Sequence, residues 1–180
     1  MIRIKYNSFQ IFALIALSFS IFSCQKITTA LTSYFVSNAD SVNFSLPVPE
    51  GNISNFDQSL TSDQVHELDS LILDFENNSN YRINLVSVAS IKPYQTIQEY
   101  SKALFNYWKL GAKNRGNDML IVYSDKLKEI SIVSGKGIKK KFDEKEKNRI
   151  IQKYIHPAFE KDNFYNGIRL GLKKIFNELL

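Results

Sequence analysis

An α/β fold, layered as a three-layer α/β/α sandwich with a mixed central sheet, is what this sequence predicts, and three observations predict it. Two apolar runs, Arg82 to Ser90 and Met119 to Tyr123, are separated by a stretch of helical periodicity. That is the spacing of a parallel strand–helix–strand crossover. The turn Asp125-Lys126-Leu127-Lys128 then leads at once into Glu129 to Val133, leaving room only for an antiparallel hairpin. Further amphipathic stretches on either side of this unit supply the helices that cover the sheet.

Each element has its own signal. Arg82-Ile83-Asn84-Leu85-Val86-Ser87-Val88 is rich in β-branched residues and bounded by Asn77-Asn78-Ser79-Asn80 and Lys92-Pro93. Thr96-Ile97-Gln98-Glu99 reads as a capping box opening a helix, with Tyr100, Leu104, Tyr107 and Trp108 as its apolar stripe and Gly111 as its cap. Upstream, Thr61-Ser62-Asp63-Gln64 is a second capping box before Val65, Leu68, Leu71, Ile72 and Phe75. Downstream, Asp143 with Glu146 predicts a third helix start, with a face of Ile150, Ile151, Tyr154 and Ile155 that Pro157 ends. A last helix opens at Asp162 or Asn163 and carries Phe164, Ile168, Leu172, Ile175 and Leu179. No internal repeat is visible.

The chain ahead of this unit reads as address and tether. Arg3 and Lys5 precede an apolar run, Ile11 to Phe22, and Ile21-Phe22-Ser23-Cys24 has the order of a bacterial lipobox. Residues 1–23 are therefore expected to be a lipoprotein signal peptide, with Cys24 the lipidated residue and residues 24–46 a flexible Ser/Thr/Asn-rich tether. An uncleaved anchor is the competing reading, because Tyr6 to Cys24 carries no charge. A soluble signal peptide with an incidental cysteine is the other. Lipidation is favoured because the single cysteine falls where that chemistry needs it. The expectation is an exported, membrane-anchored protein facing the periplasm or cell surface, with residues 47–180 as its one domain.

Composition bounds the function. With 44% hydrophobic and 13% aromatic residues the chain can bury a core. Removing residues 1–23 takes Arg3, Lys5 and no acid, lowering the formal +5 to +3. That mild excess gives no ground for nucleic-acid binding. One cysteine allows neither an internal disulfide nor a cysteine-based metal site.

Several short motifs, in order and at consistent spacing, carry a resemblance. They include Gly51 to Phe56 before Leu60-Thr61, Ile97 to Ser101 leading to Leu104-Phe105-Asn106-Tyr107-Trp108-Lys109-Leu110-Gly111, and Val133-Ser134-Gly135-Lys136-Gly137-Ile138. Arg149-Ile150-Ile151, Pro157-Ala158-Phe159 and Asn163 to Ile168 complete the series. From about residue 47 to 178 the chain resembles the TPM domain, a family of bacterial exported and thylakoid-lumen proteins named partly for an acid phosphatase. The resemblance implies an α/β/α sandwich and an acidic site for Ca²⁺ or Mg²⁺, which take several carboxylate oxygens. This chain departs from that pattern: Asn55, Gly116-Asn117-Asp118 and Asn163 stand where the family carries Asp, Asp-Asn-Gly and Asp. On this reading the remaining candidate ligands are Asp125, Asp118, Asp143, Glu144 and the amide Asn55, a weakened set.

Each candidate also has a structural reading. Asp125 follows the carboxyl end of a parallel strand, where α/β sheets bind ligands, yet Ser-Asp-Lys is ordinary turn chemistry. Asp143 and Glu144 are explained by helix-end electrostatics alone. Gly135-Lys136-Gly137 lacks the spacing and the Ser/Thr of a phosphate loop. Lys136, Lys139, Lys140 and Lys141 form a basic run open to an acidic partner or to solvent. His66 and His156 lack a partner at ligand spacing. Two functions follow: a membrane-tethered binding or accessory module that contacts an envelope protein, or a divalent-cation-dependent phosphatase acting on phosphomonoesters.

Overall fold

The computed structural model describes residues 45–112 and 114–180; the predicted signal, Cys24 and nearly all of the tether lie outside them. Four strands lie in the order β1 (Ile53–Asn55), β2 (Arg82–Ser87), β3 (Asp118–Ser124) and β4 (Glu129–Ser134). The first three are parallel and β4 is antiparallel to β3, so the sheet is mixed as expected. Helices α1 (Ser62–Asn77) and α2 (Ile97–Tyr107) form the two crossovers. After β4 come α3 (Lys136–Lys139), α4 (Glu144–Ile150), a π-helical turn (Ile151–Ile155), α5 (His156–Phe159) and α6 (Phe164–Leu179).

Strand alternation divides the core in two. Ile83, Leu85, Met119 and Ile121 face α1 and α6, meeting Leu68, Ile72, Leu172 and Ile175. Val86, Leu120 and Val122 face α2, meeting Ile97, Tyr100 and Leu104. A strand covered on both faces reads as one continuous apolar run, and every residue of β3 is buried. Among the described residues no helix is long and apolar enough to cross a membrane.

Local signals match with four corrections. Thr61 and Gln64 make the reciprocal capping box, whereas Glu99 accepts from the Gln95 amide, one residue ahead of the Thr96 cap. The left-handed residue just after α2 is Lys109 (φ 55°); Gly111 (φ 79°) belongs to the following turn. Trp108 is half-buried and donates its indole N–H to the Pro47 carbonyl at 2.7 Å, but Tyr107, expected in the core, is 49% exposed. The largest difference is at Pro157. The helix runs on past it, because a proline in the first turn of α5 lacks only a donor. The π turn ahead of it, closing from the His156 amide to the Ile151 carbonyl, takes up the register change. Gly171 of α6 makes room there: a Cβ would lie 2.6 Å from Ile155 Cδ1.

Candidate functional site

The first three strands end in one row. Register pairs Asn55 with Ser87, and Ser87 with Tyr123, so the last residues of β1 and β2 and the penultimate residue of β3 stand side by side. Alternation turns all three toward the α1/α6 face. This is the carboxyl edge of a parallel sheet, where α/β proteins gather ligands.

The loop after β1 supplies the rest. Asn55 ties it down from both ends of its amide: Nδ2 donates to the Leu60 carbonyl at 2.8 Å and Oδ1 accepts from the Leu60 amide at 3.3 Å. Gln58 takes the left-handed conformation (φ 56°) inside that turn. Asp57 accepts the Ser59 amide on Oδ1 at 3.1 Å, and the same oxygen receives a short hydrogen bond from the Ser87 hydroxyl. Ser87 Oγ also lies 3.0 Å from Asn55 Oδ1, so its single proton is shared between two acceptors. Ser59 Oγ and the Tyr123 hydroxyl are 2.9 Å apart. Burial, helped by the negative charges of Asp57 and Asp125, pushes the Tyr123 phenol well above the ordinary tyrosine range, so it stays protonated. Asp57 Oδ2 is buried and has no hydrogen-bond partner. Asp125 stands at the rim, its Oδ1 accepting the Lys126 amide at 2.6 Å. An open cleft of ≈720 Å³ adjoins, lined by Asn55, Gln58, Thr61, His66 and Asp69.

The residues singled out from sequence do not meet in one place. Asn55 and Asp125 share this edge. Asp118 opens β3, about 20 Å away along the strand, and there it accepts from the Gly111 amide and from Asn114 Nδ2. Asp143 is the N-cap of α4, accepting the Glu146 amide at 2.9 Å. Glu144 holds the buried Lys147 ammonium at 2.7 Å. Among the described residues no three His, Cys, Asp or Glu side chains converge as a metal-holding group. Ca²⁺ takes six to eight oxygens; here Asn55 Oδ1 is already spent, and the carboxylates are Asp57, Asp125 and, across the adjoining cleft, Asp69. The donor set does not fit a divalent ion caged by the protein alone.

Asp57 escaped the sequence reading. It stands two positions beyond Asn55, and Asp-Gln-Ser before a helix cap reads simply as a turn. The signal that could have found it is the displacement itself: a carboxylate two residues on lies in the same tight turn and can reach the same strand end.

Residues 53–178 match the family model described as TPM domain. The chain belongs to the TPM domain family. Solved structures agree on the fold. The N-terminal domain of a protein from P. gingivalis is 17% identical with a TM-score of 0.66, covering 71% of this chain and 81% of that one. A protein of the psychrophilic bacterium Bizionia argentinensis is 21% identical with a TM-score of 0.59, covering 67% and 81%. The N-terminal domain of a Corynebacterium glutamicum protein is 10% identical with a TM-score of 0.57, covering 76% and 84%. At these identities the likeness is one of fold. No curated protein matches the chain significantly.

Proposed function

We propose that this TPM domain protein is an exported lipoprotein, held to a membrane through Cys24, whose domain acts as a binding module for another protein of the cell envelope. The observation that carries the reading is Asp57 Oδ2, buried and unpaired at the carboxyl edge of the sheet. A buried carboxylate oxygen without a donor costs free energy, and such atoms in native folds call for an explanation. A Lys or Arg side chain, or a chain amide, from a partner that displaces part of the Asn55–Leu60 turn would satisfy it with a charge-assisted hydrogen bond.

The same cluster argues against hydrolysis. Ser87 and Tyr123 each have the hydroxyl committed inside the cluster, so neither is a free side-chain nucleophile; the phosphatase reading would need a metal-activated water instead. The acids that a divalent-cation-dependent phosphatase would use lie at opposite edges of the sheet, and no catalytic step is assigned to them.

The test replaces Gln58 with a photo-crosslinking residue in the full-length lipoprotein in native envelopes, with and without Asp57→Asn and Asp125→Asn. A defined crosslinked protein that disappears in the double variant supports the reading. Divalent-dependent turnover of p-nitrophenyl phosphate that Asp57→Asn abolishes overturns it in favour of the phosphatase. For the tether, Cys24→Ser is expected to release the protein from the membrane fraction; retention would point to an uncleaved anchor.

A further inference from the structure

A second polar site lies far from the Asp57 cluster in kind, because it is cationic. Three positive groups from three segments converge on one aromatic ring. Arg149 Cζ from α4 lies 5.9 Å from the centroid of Tyr154, Lys153 Nζ from the π turn 5.4 Å, and Lys174 Nζ from α6 5.0 Å. Solvated lysines on a helical face ordinarily splay apart, since like charges repel; here the ring's negative face draws them together.

The π turn makes this arrangement. In an α-helix, residues three and four apart share a face and residues five apart do not. A turn that closes from i to i+5 shifts that register, so Tyr154 comes beneath Arg149, five positions earlier. A single π turn inside a helix is rare and frequently falls at functional positions.

Charge accounting then separates the three cations. Arg149 is spent: its guanidinium is bidentate to Glu146 and also holds Glu178 at 2.9 Å. Lys153 and Lys174 have no carboxylate within ion-pair distance among the described residues. Two free ammonium groups around one phenol ring offer several donors, and with Glu146 and Glu178 both on Arg149 the cluster carries a net charge of about +1. A carboxylate is matched best by a free, forked guanidinium, which this site lacks. A phosphate group matches it better, with two non-bridging acceptor oxygens and one charge as a diester, or three and up to two charges as a monoester or free ion. Hydrogen bonding from Arg149, with the two lysines nearby, also holds the Tyr154 phenol below its ordinary range, which strengthens it as a donor to an anion.

The geometry points to Lys153, Tyr154 and Lys174 as a binding site for phosphate-bearing anions, with Arg149 fixing the ring from above. The phosphate can come from a lipid headgroup or from a free phosphate, and one titration separates them. The full-length chain in neutral detergent micelles is titrated with inorganic phosphate, and separately with micelles doped with phosphatidylglycerol. Amide and side-chain NMR signals of Arg149 to Tyr154 and of Lys174 report binding. Saturable shifts confined to these residues are expected, with roughly thirtyfold weaker binding in Lys153→Ala/Lys174→Ala and no change in Lys136→Ala/Lys140→Ala. Saturation by phosphate in the aqueous phase supports a free phosphate ligand. Saturation by phosphatidylglycerol alone supports a headgroup, with the domain lying against the membrane that its tether reaches. No saturable shift with either anion, or equal losses in both double variants, overturns the proposal. Both variants change exposed or half-exposed side chains, and matching circular dichroism checks that they remain folded.

Discussion

At the edge where the parallel strands begin, the chain is closed by backbone against backbone. The Gly137 amide donates to the Gly116 carbonyl at 3.0 Å and the Gly135 amide to the Asp118 carbonyl at 2.9 Å. A Cβ on Gly135 would lie 2.3 Å from Gly116 O, and one on Gly116 would lie 2.7 Å from the Gly137 amide nitrogen. At the edge where those strands end, the polar atoms belong to side chains: Asn55, Asp57, Ser59, Ser87 and Tyr123 bond one another and leave one oxygen over. The first arrangement joins two turns through main-chain bonds, with Ser134 Oγ beside it also buried and unpaired, and the glycines that resemble a phosphate loop serve as a clasp. The second has an unspent oxygen beside an open cleft. The two edges thus differ in what closes them, backbone at one and side chains at the other.

The clasp is the place to break first. Gly135→Ala sets a methyl against fixed backbone, which cannot move aside as a flexible side chain would, and is expected to cost about 3 kcal/mol. Urea denaturation measures this as a lower midpoint with unchanged slope. If the midpoint hardly moves, the two turns are not clamped, and the contrast between the edges fails. Ser87→Ala should come next. It leaves Asp57 Oδ1 with only the Ser59 amide and removes a buried donor, for about 2 kcal/mol. A cost below about 0.5 kcal/mol would mean that the short Ser87–Asp57 bond contributes little.

The same contrast shows what the sequence could reveal. The unit from β2 through β4 was legible because period, caps and a four-residue turn all agreed, each a local property. The strand β1 was not: three residues, Ile53 to Asn55, are too few to show a period, and they become a strand only by pairing with Leu85 to Ser87. Pro157 read as a stop, although its missing donor is harmless in a first turn once a π turn has shifted the register. Of the candidate site, Asn55 and Asp125 were found by comparison with family positions. Ser87 and Tyr123 looked like ordinary strand residues, and only the register of three strands brings them beside Asp57. Glu144 looked like a spare acid because nothing local shows that Lys147 is 2% exposed and needs its charge. Register and burial are long-range facts, and the site depends on them more than the fold does.

Alkaline pH distinguishes the edges without altering the clasp. The folded-state pKa of Tyr123 is raised, chiefly by burial, and that of Tyr100, also by burial, is pushed up to about 12. A raised pKa gives stability that is complete below the unfolded value of about 10 and is lost as pH climbs through the folded value. Each phenol should therefore remove about 1.4 kcal/mol per pH unit above pH ~10 until it ionises in the fold. Tyr123→Phe should make that decline shallower by one proton's worth, at a cost near neutrality of about 1 kcal/mol for the stranded Ser59 hydroxyl. Gly135→Ala should lower the whole curve without changing its slope. Parallel curves for wild type and Tyr123→Phe would mean that the phenol is open to solvent.

The smallest stability effect belongs to Asp57→Asn, and its smallness is informative. The variant keeps an oxygen that can accept from Ser59 and Ser87, and it changes only the atom that has no partner. Losing a hydrogen bond is therefore not part of the change. Relief of a buried negative charge offsets the new, equally unpaired amide donor, so the midpoint in urea should shift by less than about 1 kcal/mol in either direction. The Tyr123 phenol should titrate slightly lower, because one of the charges that raises it is gone while burial, the larger cause, remains. A loss as large as that of Ser87→Ala would show that Asp57 is structural and that Oδ2 has a partner within the fold. Near-neutral stability together with loss of the Gln58 crosslink would instead separate binding from folding at a single oxygen atom.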